Sequence, residues 1–315
     1  MNEKAIIFGL RGLKLSKGEK NLFKKFKPWG IILFSRNIKN ALQLKALVSQ
    51  IKYIFNDKNY PILIDQEGGK VSRINRIIDL SFFSQSFFSE LYKNNKKVFF
   101  NFYKLYIDKV CEILKKAGIN INTVPVLDVL TKKTHKIIGT RSFSKDPTLV
   151  STLGKLCINH YHNNKIATVI KHLPGHGESK EDSHYKTPIV KSSKNVLIKK
   201  DFKPFIQSRS LFGMTAHVIY DSYDSINTAT HSRKIIKSII RSKIQFNGIL
   251  ISDDISMKSL KYKLEENAIR ALKAGYNLVL HCNGKMNEMS RLTKVIPNID
   301  NFTIKKTSQF YKFLR

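Results

Sequence analysis

The segment Ala167–Gly177, ATVIKHLPGHG, joins an apolar run to a cluster of titratable side chains. Its first part, Ala167–Ile170, is apolar and β-branched, which is typical of a parallel strand buried on both faces. Regular structure is expected to end at Pro174, because proline has no backbone N–H to donate. A glycine-containing loop follows, and such loops lie at the surface, where backbone polar groups reach solvent or a ligand.

This loop carries His172, His176 and His184, with Asp182 two positions before the last histidine. Histidine titrates near neutral pH, and a neighbouring aspartate can fix its tautomer, so the combination suits proton transfer. For any single histidine here, a polar surface loop is an equally good interpretation. Several ionisable groups crowded behind one strand favour a functional site.

Short apolar runs recur along the whole chain, and most are followed by an amphipathic helical pattern. The alternation implies parallel strands joined by crossover helices. We therefore predict an α/β fold, a single-domain (β/α)8 TIM-like barrel over residues 1–315, since ~250 residues is typical of that barrel. A doubly wound open sheet is the alternative. The predicted strands are Ala5–Gly9, Gly30–Phe34, Pro61–Asp65, Ile121–Val126, Ala167–His172, Phe212–His217, Gly248–Ser252 and Asn277–His281.

Several helix ends are marked in the sequence. Ser16 with Glu19 predicts a capping box, and Asp146-Pro147 predicts an N-cap followed by proline at the first helical position. Gly118 and Gly275 are expected to end the helices Val98–Ala117 and Asn267–Ala274.

The chain is strongly basic, with 56 Lys and Arg against 23 Asp and Glu and a formal net charge of +33. The lysines are spread along the chain rather than gathered in one arm, which favours compositional drift over a nucleic-acid surface. The three cysteines show neither zinc spacing nor a disulfide framework, as expected in a reducing compartment. No apolar stretch approaches the ~20 residues that span a bilayer. We expect a cytoplasmic protein without a membrane partner.

Acidic residues are scarce, yet several polar side chains stand where a predicted strand ends. In a barrel these positions face one end, where catalytic sites lie. An aspartate after a strand is also a common helix cap, which is the alternative for Asp128 and Asp254. The joint pattern favours a site built from Asp65, Asp128, Lys171, His172, His217 and Asp253.

These residue types suit hydrolysis or group transfer. Neither a P-loop nor a Gly-x-Gly-x-x-Gly fingerprint is present, and the His-x-His of metal-dependent amidohydrolase barrels is missing, so we expect no cofactor and no metal. Glycoside cleavage with retention needs a carboxylate nucleophile and a second group that protonates the leaving oxygen and later activates water. Asp253, at the end of the seventh predicted strand, is the candidate nucleophile.

The chain also resembles family 3 glycoside hydrolases of the bacterial β-N-acetylhexosaminidase type, and the matching motifs run along most of it in the family's order. Lys70 and Leu173 replace residues that are usual in the family, and the stretch after Asn283 carries no motif, so the final helix is expected to be short. The matching motifs are GIILFSRN (30–37), IDQEGGKVSR (64–73), PVLDV (125–129), GTRSF (139–143), KHLPGHG (171–177), DSH (182–184), AHVIY (216–220) and GILISDDISM (248–257).

The resemblance implies a role for each matching residue. Asp253 would form a glycosyl-enzyme intermediate, and His184 would be the acid/base, oriented by Asp182. The positions implied to bind the N-acetylglucosamine, with His217 assigned to the same group, are Asp65, Arg73, Arg141, Lys171, His172 and His217.

The activity implied is that of a retaining exo-β-N-acetylglucosaminidase of peptidoglycan recycling, acting on GlcNAc-containing muropeptides as a monomer without a specific nucleic-acid partner. A β-N-acetylglucosaminide phosphorylase is one alternative, because a histidine base does not repel an incoming phosphate. A basic nucleic-acid-binding protein on a barrel scaffold is the other.

Overall fold

A computed structural model describes residues 3–131, 134, 138–179 and 187–315. The strands are β1 (Lys4–Gly9), β2 (Pro28–Leu33), β3 (Ile62–Ile64), β4 (Ile121–Asn122), β5 (Ala167–Leu173), β6 (Ile189–Val190), β7 (Phe212–Thr215), β8 (Ile219–Tyr220), β9 (Ile249–Asp254) and β10 (Leu278–His281). The α-helices are α1 (Lys17–Lys25), α2 (Ala41–Phe55), α3 (Gln85–Asn94), α4 (Lys96–Ala117), α5 (Pro147–Asn163), α6 (Lys194–Lys199), α7 (Leu264–Ala274), α8 (Met286–Thr293) and α9 (Asn301–Leu314). A π-helical segment covers Ile235–Lys243.

Eight of the strands close into a parallel barrel in the order β1-β10-β9-β7-β5-β4-β3-β2. Pairing of β1 with both β2 and β10 completes the ring, so the predicted (β/α)8 barrel is confirmed and the open sheet is wrong. Strands β6 and β8 form a separate two-stranded parallel sheet. Because all barrel strands run in the same direction, the polar residues at their carboxyl ends meet at one mouth.

The predicted helix ends agree with the structure. Ser16 and Glu19 form the reciprocal capping box of α1, and the Asp146 side chain accepts a hydrogen bond from the Thr148 amide at the start of α5. Gly118 ends α4 in the left-handed region at a φ of 83°, a conformation that favours glycine. Helix α7 begins at Leu264, three residues before the predicted start at Asn267.

Strand β4 is shorter than its apolar run, which extends to Val126. Pro125 has no N–H to donate, so the ladder cannot continue regularly through this residue. The side chain of Gln85 bonds both the amide of Val126, at 3.0 Å, and its carbonyl oxygen, at 2.8 Å. A buried glutamine thus satisfies backbone groups that a strand neighbour would otherwise pair.

The amino-terminal end of the barrel is filled by aromatic side chains. Trp29 on β2 and Phe212 on β7 belong to strands that are not neighbours, yet their ring centroids lie 5.5 Å apart. Phe310 of α9 contacts both rings, at 6.4 Å and 5.4 Å. The Trp29 indole N–H donates to the hydroxyl of Thr307, also on α9, at 2.8 Å. The expectation of a short final helix is therefore wrong: α9 closes this end of the barrel.

No helix in the described part of the chain combines the length and the apolar character that crossing a membrane requires.

The packing of α9 predicts a difference between two phenylalanines on the same helix. Phe310→Ala should lower the free energy of unfolding by about 3–5 kcal/mol, because it empties a closely packed site between Trp29 and Phe212. Phe302→Ala is the matched control, since this ring is 37% exposed while Phe310 is fully buried. Urea denaturation of both variants measures the difference. Equal losses would show that α9 does not close the barrel as described.

Candidate active site

A cavity of about 230 Å³ opens at the carboxyl ends of the barrel strands. Polar and charged side chains dominate its wall, with apolar contributions from Met214 on β7 and Leu280 on β10. The residues that line it are Asp65, Glu67, Val71, Arg73, Ile138, Arg141, Lys171, His172, His176, Met214, Asp253, Leu280 and Cys282.

Strand β5 contributes two successive residues to this wall, Lys171 and His172. In a regular strand successive side chains point to opposite faces, so only one of the two would reach the cavity. The pairing of β5 with β7 shifts register between Ile170 and Leu173, where both residues lie. This irregularity allows the ammonium and the imidazole to face the same space.

Lys171 is the centre of a buried ion-pair network. Its ammonium lies 3.0 Å from Asp65, 2.6 Å from Glu67 and 2.9 Å from the Thr123 hydroxyl. Glu67 also accepts two hydrogen bonds from the Arg141 guanidinium, at 2.8 Å and 2.9 Å. Arg73 reaches the other oxygen of Asp65 at 3.3 Å. The network therefore alternates in charge around one side of the cavity.

The network keeps its members ionised. Burial by itself would raise the pKa of Asp65, but Lys171 and Arg73 outweigh this effect and hold that pKa well below its usual range. Burial is likewise outweighed at Glu67, where Arg141 and Lys171 lower the pKa to about 2. Burial would lower the pKa of Lys171, but the two carboxylates raise it. Neither Asp65 nor Glu67 can donate a proton at neutral pH, so both are hydrogen-bond acceptors.

A second cluster is built around Asp128, which is completely buried. One of its oxygens accepts from the backbone amides of His172 and His176, at 3.2 Å and 2.8 Å. The other lies 2.7 Å from Nδ1 of His172. Burial would raise the pKa of Asp128, but the two histidines hold it below its usual value. Asp128 therefore fixes the His172 tautomer with hydrogen on Nδ1 and leaves Nε2 for the cavity.

His176 lies beside this pair, and its ring centroid is 6.0 Å from that of His172. Burial lowers the pKa of His176 to about 4, so the ring is neutral at pH 7. Cys282 follows β10, and burial together with Asp254 and Asp253 raises the pKa of its thiol. The thiol is thus protonated and contributes a small polarisable surface rather than a nucleophile.

Asp253, at the end of β9, is half-buried and lines the same cavity. One of its oxygens accepts from the Asp254 amide at 2.8 Å. Asp254 itself bonds the Ser256 amide at 3.0 Å and the Cys282 amide at 3.3 Å, so it acts as a local cap rather than as part of the wall.

His217 is fully buried and is not among the residues that line the cavity. Its Nε2 donates to the Asp254 carbonyl oxygen at 2.9 Å, and its Nδ1 accepts from Thr230 at 2.5 Å. Burial lowers the pKa of His217, in keeping with a neutral ring. Both ring nitrogens are engaged, so the geometry suits support of the β9 terminus better than the predicted contact with a sugar.

The structure therefore brings together most of the residues singled out in the sequence: Asp65, Arg73, Arg141, Lys171, His172 and Asp253. Asp182 and His184 lie outside the described residues. Sequence reasoning did not assign Glu67 or Cys282 to the site. It placed His176 in the histidine loop without giving it a role, and it favoured Asp128 for the site with a helix cap as the alternative. Position after a strand was the available signal for Asp128, whereas Glu67 lies two residues beyond Asp65 in a turn.

Among the residues that the structure describes, no group of three or more His, Cys, Asp and Glu side chains is placed to hold a metal ion.

Removal of the central ammonium tests the charge network. Lys171→Met should lower the free energy of unfolding at pH 7 by about 3–5 kcal/mol, since it leaves buried carboxylates without their counter-charge. Carboxyl groups with a depressed pKa stabilise the fold above their unfolded pKa of ~4 and lose this contribution as the pH falls through their folded pKa. The deficit should therefore shrink between pH 7 and pH 3 in urea denaturation.

Lys116→Met is the control for that variant, because Lys116 pairs with Glu112 on the exposed face of α4 and such pairs contribute little. A deficit of the same size at pH 7 and pH 3 would mean that Lys171 acts through packing rather than through charge.

Comparison with known proteins gives a consistent set of relatives. The chain is 32% identical over 301 residues to a β-hexosaminidase of Haemophilus influenzae, with 94% of this chain and 83% of that protein covered. It is 30% identical over 311 residues to a β-hexosaminidase of Glaesserella parasuis, with 93% and 84% covered. The crystal structure of native NagZ from Neisseria gonorrhoeae superposes with a TM-score of 0.88 at 27% identity, covering 100% of this chain and 90% of that one.

The family model for the glycosyl hydrolase family 3 N-terminal domain matches residues 2–308, which is nearly the whole chain. The sequence motifs, the closed parallel barrel and the acid-lined cavity at its carboxyl mouth agree with that match. The protein therefore belongs to glycoside hydrolase family 3 and is a glycoside hydrolase.

Proposed function

We propose that the protein is a retaining exo-β-N-acetylglucosaminidase that removes a terminal, non-reducing GlcNAc through a glycosyl-enzyme intermediate on Asp253. The observation that carries the proposal is the placement of Asp253 in one small cavity with the ion-paired wall of Asp65, Glu67, Arg141 and Lys171. The relatives named β-hexosaminidase support this substrate class. Residues 1–315 would act as a single catalytic domain.

The wall suits a sugar because it offers acceptors and donors in fixed positions. Asp65 is held as a carboxylate, and a carboxylate accepts two sugar hydroxyls. Lys171, Arg73 and Arg141 supply charged donors whose positions are set by their acidic partners. Nε2 of His172 adds a hydrogen-bond acceptor. Met214 and Leu280 provide apolar surface for the carbon faces of the ring.

In the first step an oxygen of Asp253 would attack the anomeric carbon while the bond to the aglycone oxygen breaks and His184 gives that oxygen a proton. In the second step His184 would accept a proton from water, and the resulting hydroxide displaces Asp253 from the sugar. Asp182 would orient the imidazole and stabilise its protonated form. Two inversions at one carbon give net retention.

The structure raises a competing assignment for the proton donor. In the part of the chain that the structure describes, His172 with Asp128 is an imidazole–carboxylate pair that lines the cavity. Its backbone and side-chain hydrogen bonds fix it within the wall, which suits sugar binding. We therefore keep His184 as the acid/base and assign binding to His172, and the two roles are separable by experiment.

The physiological substrates that we propose are GlcNAc-1,6-anhydro-MurNAc muropeptides of cell-wall recycling, handled by a monomer in the cytoplasm. The cysteines Cys111, Cys157 and Cys282 are all unpaired, which fits a reducing compartment. No separate nucleic-acid function is needed to explain the cavity.

Asp253→Ala tests the nucleophile. Turnover of an aryl β-N-acetylglucosaminide should fall on the order of 10⁴-fold or more, because no other group can form the covalent intermediate. Azide should restore turnover, because it can enter the space left by the carboxylate and attack the anomeric carbon. The product should be the α-glycosyl azide. Asp254→Asn is the neighbouring control and should keep most of the activity, since it keeps an acceptor for the Ser256 and Cys282 amides.

Near-native rates for Asp253→Ala would overturn the assignment. The wild-type protein should prefer the aryl β-N-acetylglucosaminide to the aryl β-glucoside, and equal rates would contradict the substrate class. Inorganic phosphate in the same assay separates hydrolysis from phosphorolysis, because only the latter forms the sugar 1-phosphate.

His184→Ala and His172→Ala should respond differently to the leaving group. Loss of a proton donor slows poor leaving groups far more than nitrophenolate, which leaves without a proton. His184→Ala should therefore show a steep dependence of kcat/KM on leaving-group pKa. His172→Ala should raise KM for all substrates alike. The opposite pattern would assign the acid to the His172–Asp128 pair.

A further inference from the structure

Asp201 is a buried carboxyl group next to the active site that does not line the cavity. Its residue is 0% exposed, and it lies in the turn that follows α6. One carboxyl oxygen accepts from the Glu178 amide at 3.3 Å. The other oxygen is buried and has no hydrogen-bond partner in the described part of the chain. A buried carboxyl oxygen without a partner is costly in a folded protein, so its position calls for an explanation.

The segment 174–179, which runs directly past Asp201, is the one that places His176 in the cavity wall. A Cβ on Gly175 would lie 2.7 Å from the Asp201 carbonyl oxygen, and one on Gly177 would lie 1.8 Å from the Val129 carbonyl oxygen. Glycine at both positions lets the segment lie directly between these two backbones. At Gly175 the segment lies directly against Asp201, so a change at Asp201 acts directly on the backbone that carries His176.

Both sides of His176 are fixed by hydrogen bonds. On one side the Tyr220 hydroxyl donates to the Gly175 carbonyl oxygen. On the other side Asp201 accepts from the Glu178 amide, while the Glu178 side chain bonds Ser192 at 2.9 Å and Lys200 at 3.2 Å. His176 itself donates its amide to Asp128, the residue that orients His172. The position of Asp201 is therefore coupled to His172 in the cavity wall through Glu178, His176 and Asp128.

We propose that Asp201 is a positioning residue: its carboxyl group holds the segment 174–179 against the barrel and so keeps His176 and the Asp128–His172 pair in the sugar-binding wall. The proposal rests on the proposed function, because it assumes that this cavity binds the sugar. Asp201 itself would touch neither the sugar nor the reacting atoms.

The charges around Asp201 give this contact a pH dependence. Burial, the Glu178 carboxylate and Asp128 raise the pKa of Asp201 to about 7, and the hydrogen bond from the Glu178 amide and the charge of Lys200 oppose them only in part. Among the described residues, the buried Tyr220 hydroxyl, which bonds Gly175, is a further titratable group near Asp201. Ionisation would place a third negative charge among Glu178 and Asp128 on an oxygen that has no donor. Movement of the segment 174–179 away from Asp201 would give water access to that oxygen.

The raised pKa of Asp201 decides whether stability rises or falls with pH. The folded protein binds the Asp201 proton more tightly than the unfolded chain, in which the pKa is ~3.9. Stability from this group is therefore greatest at low pH and falls as the pH rises from about 4 to about 7. The last part of this loss lies between pH 6 and pH 8, so the segment should be held more firmly at pH 6 than at pH 8.

Hydrogen exchange tests the proposal in the full-length protein. In the wild type, the protection of amides 175–179, corrected for the intrinsic effect of pH on exchange, should be lower at pH 8 than at pH 6. In Asp201→Asn, the side chain keeps its shape but cannot ionise, so the protection of these amides should be the same at pH 6 and pH 8. KM for an aryl β-N-acetylglucosaminide should rise between pH 6 and pH 8 in the wild type, and less in this variant.

Two further variants separate positioning from simple loss of structure. Glu178→Gln removes the acidic neighbour, so the pH at which protection is lost should move to lower values. Asp221→Asn changes an exposed aspartate nearby and should leave the transition where it is in the wild type. A shift with Asp221→Asn, or none with Glu178→Gln, would overturn the proposal.

The exchange result does not depend on catalysis. If protection changes with pH as expected while the protein fails to cleave any N-acetylglucosaminide, the positioning role stands and the proposed function fails. If the protein is active but Asp201→Asn shows the same loss of protection as the wild type, the positioning role is wrong and the proposed function stands.

Discussion

The architecture of the site depends on one electrostatic constraint: carboxylates buried at the barrel mouth must be matched by cations. Lys171 meets this constraint by reaching Asp65 and Glu67 together, and Arg141 completes the coordination of Glu67. A buried charge that loses its partner is strongly destabilising, so the members of the network cannot vary independently. The same pairing keeps both acids ionised in the wall of the cavity. Under the proposed function, stability and sugar recognition would therefore use the same contacts.

Much of this arrangement can be predicted from the sequence because parallel strands bring their carboxyl ends together. Asp65, Lys171, His172 and Asp253 were identified by that argument alone, before any family likeness was considered. The helix ends were predictable for a similar reason, since the capping pair Ser16 and Glu19 acts over three residues. Capping motifs and strand direction can both be predicted from the order of residues along the chain.

The rest depends on contacts that no local pattern encodes. Glu67 belongs to the site because the turn after Asp65 brings it back to Lys171 and Arg141, more than seventy residues away in the case of Arg141. Asp128 follows a strand, a position that a helix-capping aspartate can also occupy. Only its distance to His172 identifies its role. His217 followed a strand as the other candidates did, yet both of its ring nitrogens bond within the protein. Helix α9 carries no motif, and its importance comes from the fit of Phe310 between two strands on different sides of the barrel.

The charge of the whole chain and the charge of the site obey different requirements. The chain carries +33, yet the described cavity wall sets the acids Asp65, Glu67 and Asp253 against the cations Arg73, Arg141 and Lys171. Exposed charges separated by more than about 8 Å are largely screened at physiological ionic strength, so lysines spread over the surface change the wall little. Buried pairs are screened much less, and each depends on its immediate neighbours. A basic drift in composition can therefore accumulate on the helices while the mouth of the barrel keeps a balanced set of charges. Under the proposed function, the mouth would hold a neutral sugar whose anomeric carbon becomes positive during cleavage.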